Sequence, residues 1–359
     1  MIIDNHVHLF TDLGGNSEYK TEGIQLMYAQ KMMSTHFLPL RRVDDYSIIN
    51  EQNLWDEDKP GPEGRRNVNF RAGGFGRYVW TVDGVDYSKQ YMPVGMQKMV
   101  ASPEFLIEQM NYVGVDKAVL QHGHTYGKLK NYYHKAVKKF PDRFIGLTQI
   151  DEPRAYYEDQ IGELHRAIDK LGLRGLFFDQ GTNWVNNFKQ NFDEEIYNPF
   201  WEEVDSLSIP VYAEVTGSKF LYELKGWESI LEKHPDITLV ITVGIPVKLI
   251  LKDGKPYIPE IVHRLVTTYK VFLEVTYPIT IIGKDSEYPY PEAQQIIKHL
   301  FDTFGPKKLI WGTDMPNVER FCTYGQALNF LKNHCNFLSN SDKELILGKN
   351  VAKIFGLDC

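Results

Sequence analysis

The chain has 359 residues, 43% of them hydrophobic and 24% charged, and a formal charge of −7 at neutral pH. That length supplies the core of one large α/β domain or two smaller ones. A net negative charge without a Lys/Arg-dense stretch argues against nucleic acid or an anionic membrane as partner and leaves a small-molecule substrate as the expectation. Cys322, Cys335 and Cys359 are few, odd in number and not spaced as a zinc knuckle, so reduced, structurally incidental thiols are expected. No run reaches transmembrane length and no leader-like segment precedes the first apolar run, which together predict a cytoplasmic protein.

The first element is the apolar run Ile2 to His8. Side chains alternate along a strand, so His6 and His8 project to one face about 7 Å apart, close enough for two imidazoles to grip one divalent ion. Alone, such a pair is more often two ordinary residues than a ligand pair. Phe10 to about Val100 is far too long for a βα loop and reads as an insertion. It is rich in aromatics, contains Pro60-Gly61-Pro62-Glu63-Gly64, and carries Asp83-Gly84 between alternating apolar residues, which predicts a hairpin turn. Leaving the C-terminal end of strand one, it is expected to cover the site as a lid, or to serve as a dimer contact in a possible homodimer. Arg77 and Trp80 are its expected substrate contacts.

Seven further strand-like runs follow: Lys117 to His122, Phe144 to Ile150, Leu173 to Phe178, Ile209 to Glu214, Thr238 to Val243, Val271 to Thr276, and Lys308 to Trp311. Helical stretches lie between them at Pro103 to Tyr112, Ala155 to Leu171, Glu194 to Leu207, Lys219 to Lys233 and Pro291 to Phe304, with Pro103 and Pro291 suited to first turns. Eight strand and helix units predict a (β/α)8 TIM barrel, a single domain over residues 1–359 that includes the insertion 10–100. Its chemistry would lie at the C-terminal ends of the strands. There sit His122 and His124 after strand two, either of which could carry a proton or a metal; hydrogen-bonded loop histidines are the plain alternative. Glu214 ends strand five, Glu274 in strand seven is a further candidate substrate contact, and Asp179 follows strand four; a structural role is the plain alternative for Glu274 and Asp179. Asp314 follows strand eight in Trp311-Gly312-Thr313-Asp314-Met315-Pro316, where a barrel of this kind keeps its reactive carboxylates.

Three segments carry a family resemblance over essentially the whole chain: Ile2-Ile3-Asp4-Asn5-His6-Val7-His8, the Trp311 to Pro316 motif, and Ile346 to Leu357. They resemble the amidohydrolase-related family, the branch of the metal-dependent amidohydrolases that contains aminocarboxymuconate-semialdehyde decarboxylase and the resorcylate-type decarboxylases. The resemblance implies one divalent ion, zinc or manganese, held by His6, His8, a histidine ending strand five and Asp314, with a further histidine after strand six near the reacting proton. Two positions depart from that pattern. Glu214 stands where the strand-five histidine is expected, and Glu is a competent hard ligand, although a strand-end salt bridge is the alternative. Thr242 or Val243 stands where the strand-six histidine belongs, and neither is a base; His122 or His124 is the expected substitute, with Asp314 relaying the proton. Strand four offers no lysine for a carbamate bridge, so one metal is expected. The family implies decarboxylation of a small carboxylated cyclic or aromatic substrate. Hydrolysis of a lactone or amide by a metal-activated water is the alternative reaction, and a non-catalytic barrel with a degenerate site the alternative class.

Overall fold

The computed structural model describes residues 1–50, 53–215, 219–245, 251–252, 255–275 and 286–358. Eight strands form its centre, all paired in parallel: β1 (Ile3–Val7), β2 (Lys117–Leu120), β3 (Phe144–Gly146), β4 (Leu176–Asp179), β5 (Val211–Glu214), β6 (Leu239–Thr242), β7 (Val271–Glu274) and β8 (Leu309–Ile310). Pairing runs β1-β2-β3 in one arc and β4-β5-β6-β7-β8 in the other. Backbone hydrogen bonds join the arcs at both seams. Thr148 donates to Gly175 (2.8 Å) and Phe177 to Thr148 (2.7 Å) between β3 and β4; Asn5 donates to Trp311 (3.2 Å), Asp314 to His6 (2.8 Å) and His8 to Met315 (2.7 Å) between β8 and β1. The ring is a (β/α)8 barrel, and β1 and β8 are neighbours although nearly the whole chain separates them. The predicted last residue of strand seven, Thr276, lies outside the described residues.

Two apolar layers follow from strand alternation. Ile3, Val119, Ile145, Leu147, Phe177, Tyr212, Val240 and Ile310 fill the barrel interior, and Val351, Ala352 and Phe355 of the C-terminal segment join them. The intervening positions, such as Ala118, Leu120, Val211, Ala213, Leu239 and Ile241, face outward into the layer beneath the helices. The helix Pro103–Val113 illustrates the outer layer. Ser102 caps it by accepting from Phe105 N–H (3.1 Å), Pro103 occupies its first turn, and Gly114 ends it in the left-handed conformation (φ 80°). It buries Leu106, Ile107 and Met110, each stabilising the fold by about 1.5–3 kcal/mol. The expected single helix over Ala155 to Leu171 begins only at Glu158, behind a 3-10 turn at Glu152–Arg154, and ends in a π turn at Arg166–Lys170. Likewise Asn198–Ser206 follows a 3-10 turn at Glu195–Tyr197. No helix among the described residues is long and apolar enough to cross a membrane.

The insertion is structured. It holds a helix (Glu22–Thr35) and a sheet whose central hairpin, Arg77–Val82 with Val85–Gln90, turns at Asp83 (φ 50°) and Gly84 (φ 78°), a left-handed pair that matches the twist of the strands. Its two ends are clasped: Phe10 and Ala101 exchange backbone hydrogen bonds of 3.0 Å each, and Leu13 N–H donates to Met99 (3.1 Å). Contacts to the barrel are made through the loops that follow β2 and β4. Gln25 donates to Thr125 O (2.6 Å), Tyr91 Oη lies 3.0 Å from Thr125 Oγ1, and Trp184 packs edge-on against Tyr28 and Trp55.

Candidate metal centre

A bulge in β1 sets the site. Asp4 pairs with Ala118 and Val7 with Leu120, three residues of β1 against two of β2. The slip lets Asn5, which bonds Tyr212 Oη (2.7 Å) and Glu274 (3.0 Å), and His6 both face the barrel lumen, while Asp4 and Val7 face outward. Beyond the bulge the alternation resumes and His8 joins His6. Their Nε2 atoms stand 3.0 Å apart, and Asp314 Oδ1 lies 3.1 Å from His8 Nε2 and 3.8 Å from His6 Nε2.

The other ring nitrogens fix the tautomers. His8 Nδ1 faces the Gln121 carbonyl (3.0 Å), which only accepts, so that nitrogen carries hydrogen and Nε2 carries a lone pair. His6 Nδ1 donates to Glu274 Oε2 (2.8 Å), and Glu274 also receives Val243 N–H (2.7 Å) and Asn5 Nδ2 (3.0 Å). Two imidazole lone pairs and a carboxylate oxygen therefore converge on one point, an arrangement suited to a cation. These three groups lie within 4.8 Å of one another and could hold a metal ion, with Glu274 and the Gln121 carbonyl orienting the rings from behind. Burial opposes a charge on His6, but Glu274, Asp314 and Glu214 carry its pKa up to about 9; burial drives that of His8 down against the pull of Asp314. In the metal-free protein a proton on His6 fills the gap.

Asp314 reaches this position through a strained turn. Its φ is 63°, a left-handed conformation that costs a non-glycine residue roughly 1–2 kcal/mol. Asp4, buried behind β1, holds the turn by accepting from Thr313 Oγ1 (2.5 Å), Thr313 N–H (3.0 Å) and His6 N–H (3.1 Å). Burial outweighs those bonds and raises its pKa to about 7. Asn317 Nδ2 donates to Asp314 Oδ1 (2.7 Å) and to Tyr126 Oη (2.7 Å), whose ring lies 4.3 Å from that of His8. Burial would raise the pKa of Asp314, yet His8, His6 and Arg320 hold it below the ordinary carboxylate range.

The remaining expected site residues divide sharply. Glu214 shares the strand-end face with the metal group, and its carboxylate accepts no hydrogen bond from the described residues; burial and Asp179 raise its pKa to about 8. It stands outside the tight three-residue group. His122 is a core residue: it donates to the Leu147 carbonyl (2.9 Å), packs on Tyr133, and is held neutral by burial down to about pH 3. The expectation that it exchanges a proton near neutrality fails on that ground. His124 pairs with Glu152 (2.5 Å), which also accepts from Gln149 (2.8 Å) and from Asp179 N–H (3.1 Å); Tyr19 Oη lies 3.0 Å from its other nitrogen. That contact set belongs to a second group, on the β3–β5 side of the mouth. Glu274 is committed to His6, which corrects its reading as a substrate contact.

The insertion residues also differ from expectation. Trp80 is fully buried, donates to Asn53 (2.7 Å) and packs on Phe70 and Tyr87, so it is core of the insertion and not a substrate contact. Arg77 donates to Tyr46 Oη (3.1 Å) on the same sheet. The insertion instead reaches the metal group through Tyr91, stacked on Tyr126. In place of the missing histidine, β6 ends in Thr242, which donates to Ala213 O (3.3 Å), and Val243, whose φ of 63° aims its N–H at Glu274. Sequence reasoning misses Asp4, Glu152, Asn317 and Tyr126; the position of Asp4 inside the opening motif is the one available signal.

An amidohydrolase family model matches residues 3–357. No curated protein matches the chain. Among solved structures, the chain is similar to a probable 2-pyrone-4,6-dicarboxylic acid hydrolase from Acinetobacter baumannii (TM-score 0.60, 17% identity, 99% of each chain covered). It is also similar to 2,6-dihydroxybenzoate decarboxylase from Rhizobium (TM-score 0.53, 14% identity, 73% of this chain and 90% of that one). A third is 5-carboxyvanillate decarboxylase from Sphingomonas paucimobilis (TM-score 0.50, 16% identity, 70% and 82%). At these identities the likeness is one of fold, and it agrees with the closed ring of parallel strands. With the family model spanning nearly its whole length, the chain belongs to the amidohydrolase family.

Proposed function

We propose that the protein is a mononuclear metal-dependent enzyme that decarboxylates a small carboxylated cyclic or aromatic substrate. The observation that carries this reading is the convergence of His6 Nε2, His8 Nε2 and Asp314 Oδ1 as three lone-pair donors, with both imidazole rings already hydrogen-bonded on their far sides. Zinc or manganese suits that nitrogen and oxygen set, with Glu214 as a further ligand. Bound there, such an ion supplies Lewis acidity to a substrate oxygen. The chain's own residues do the rest. Tyr126 and Tyr91 offer aromatic surface beside the group. Asp314 keeps Oδ2 free of hydrogen bonds from the described residues and is ionised at neutral pH, so it first accepts a proton, from a substrate hydroxyl or water. It then delivers that proton to the ring carbon bearing the carboxylate. The carbon–carbon bond breaks with its electron pair returning to the ring, and carbon dioxide leaves.

A second reading, hydrolysis of a lactone or amide, is favoured by one finding: the structure similar over 99% of both chains is that of a probable hydrolase of a pyrone dicarboxylic acid. Asp314 would then take the proton of the attacking water. The test is metal analysis of the purified protein followed by incubation of the manganese- and zinc-loaded forms with hydroxybenzoates and lactones. Loss of carbon dioxide supports the lyase, and a product that gains the elements of water moves the assignment to hydrolase. Protein that binds no metal and melts alike with and without chelator overturns both in favour of a non-catalytic barrel.

A further inference from the structure

Arg320 closes the 3-10 turn Asn317–Arg320 that follows Asp314. Its Nε donates to Asn317 O (3.0 Å), and its guanidinium lies over the Phe321 ring, 5.2 Å from the centroid. One terminal nitrogen, Nη1, is buried without a hydrogen-bond partner, and so is Oδ1 of neighbouring Asn317. A charged donor stripped of water and left unpaired is costly, and natural folds rarely leave one so unless something else fills the gap. Asn317 links it to the metal group, since the Asn317 carbonyl accepts from Arg320 while its side chain donates to Asp314 Oδ1 (2.7 Å), and the charge of Arg320 helps hold Asp314 ionised. Other arginines here are engaged: Arg71 with Asp86, Arg166 with Glu163, Arg264 with Glu228. Arg77 also has a buried unpaired nitrogen, but it sits in the insertion sheet against Tyr46.

We infer that Arg320 anchors a substrate carboxylate distinct from the group that reacts at Asp314, so that the substrate carries at least two acidic groups. A planar guanidinium with an unused donor matches a carboxylate, and charge-assisted bonds of this type are strong enough to select for it. A single guanidinium, with Glu152, Asp179 and Glu214 on the other side of the mouth, suits a singly charged carboxylate better than a dianionic phosphate. The inference rests on the proposed reading only in taking the substrate to be a small acid.

The test is calorimetric binding of isophthalate, of 3-carbamoylbenzoate, in which one carboxylate is replaced by a neutral amide, and of phenyl phosphate. Manganese-loaded and metal-free protein are titrated in parallel, because any metal contact is common to the first two probes. The parent should prefer isophthalate over the amide on the order of ten- to a hundredfold. Arg320→Gln should erase that preference at unchanged metal content, and Arg320→Lys, which keeps the charge but not the fork, should retain part of it. Absence of discrimination by the parent, its survival in Arg320→Gln, or tighter binding of phenyl phosphate than of isophthalate would overturn the inference. If the preference behaves as expected while no acid is turned over, Arg320 keeps its role and the reaction class falls.

Discussion

The two sides of the barrel mouth solve opposite electrostatic problems. On the β1 and β8 side, His6, His8 and Asp314 are held by partners behind them, and their free electron pairs point at a shared gap. On the β3 to β5 side, Glu152, Asp179 and Glu214 come from successive strand ends, with His124 the histidine paired among them through Glu152. Burial and mutual repulsion raise Asp179 to about 7 and Glu214 to about 8. The first side is arranged so that it could hold a cation. The second tempers its own charge by taking up protons, so near neutral pH it can give or accept one.

The largest expected effect breaks the first side. Replacing His6 and His8 together by alanine should take metal content from one per chain to none and abolish turnover, and chelator should no longer shift the melting temperature. Full metal content in that variant would refute the ligand assignment. Next, Asp314→Asn keeps size and an oxygen ligand but removes the proton acceptor; turnover should fall at least about a hundredfold with much of the metal still bound, measured on the same preparation.

A smaller effect sharpens the role of the partners behind the rings. Glu274→Gln should weaken metal binding by about ten- to a hundredfold without removing a ligand, because His6 loses the carboxylate that orients it and raises its basicity. Unchanged affinity in competition with a chromophoric chelator would show that Glu274 only fills space. For the parent, metal affinity should fall as pH drops below about 9, since the proton on His6 then competes for the site.

The smallest effect tests the second side in metal-free protein. Glu214 titrates near 8 when folded against an ordinary 4.5, so the folded state binds more protons than the unfolded one between those values. Stability from this group is therefore present below pH 4.5 and lost as pH rises through about 8. Glu214→Gln should flatten the decline of melting temperature between pH 5 and 8.5; an equally steep decline in the variant would place the repulsion elsewhere.

Much of this architecture is legible in the amino-acid sequence. Eight strand-like runs with helices between them carry the barrel, and His6, His8 and Asp314 are recognisable because ligand chemistry restricts residue types at strand ends. Direction is what stays hidden. Alternation says that His6 and His8 share a face, but not that a bulge also turns Asn5 inward. His122 and His124 repeat the same spacing beyond the end of β2, where the chain is no longer a strand, and they look to unrelated partners. Aromatic richness marks the insertion as ordered without distinguishing Trp80, its core, from Tyr91, its contact with the site. Arg320 carries no sequence signal, because an unpaired guanidinium is a property of its surroundings.

The clasp at the root of the insertion has a consequence for how this protein can change. Closing a loop costs entropy that grows only as the logarithm of its length, and here Phe10 and Ala101 complete that closure with their own backbone bonds. To the barrel, residues 10–100 therefore amount to a short connection between β1 and the helix at Pro103, whatever hangs beyond the clasp. Selection, or an engineer, can lengthen, shorten or exchange the material above Leu13 and Met99 while the register of β1 against β8 stays as it is.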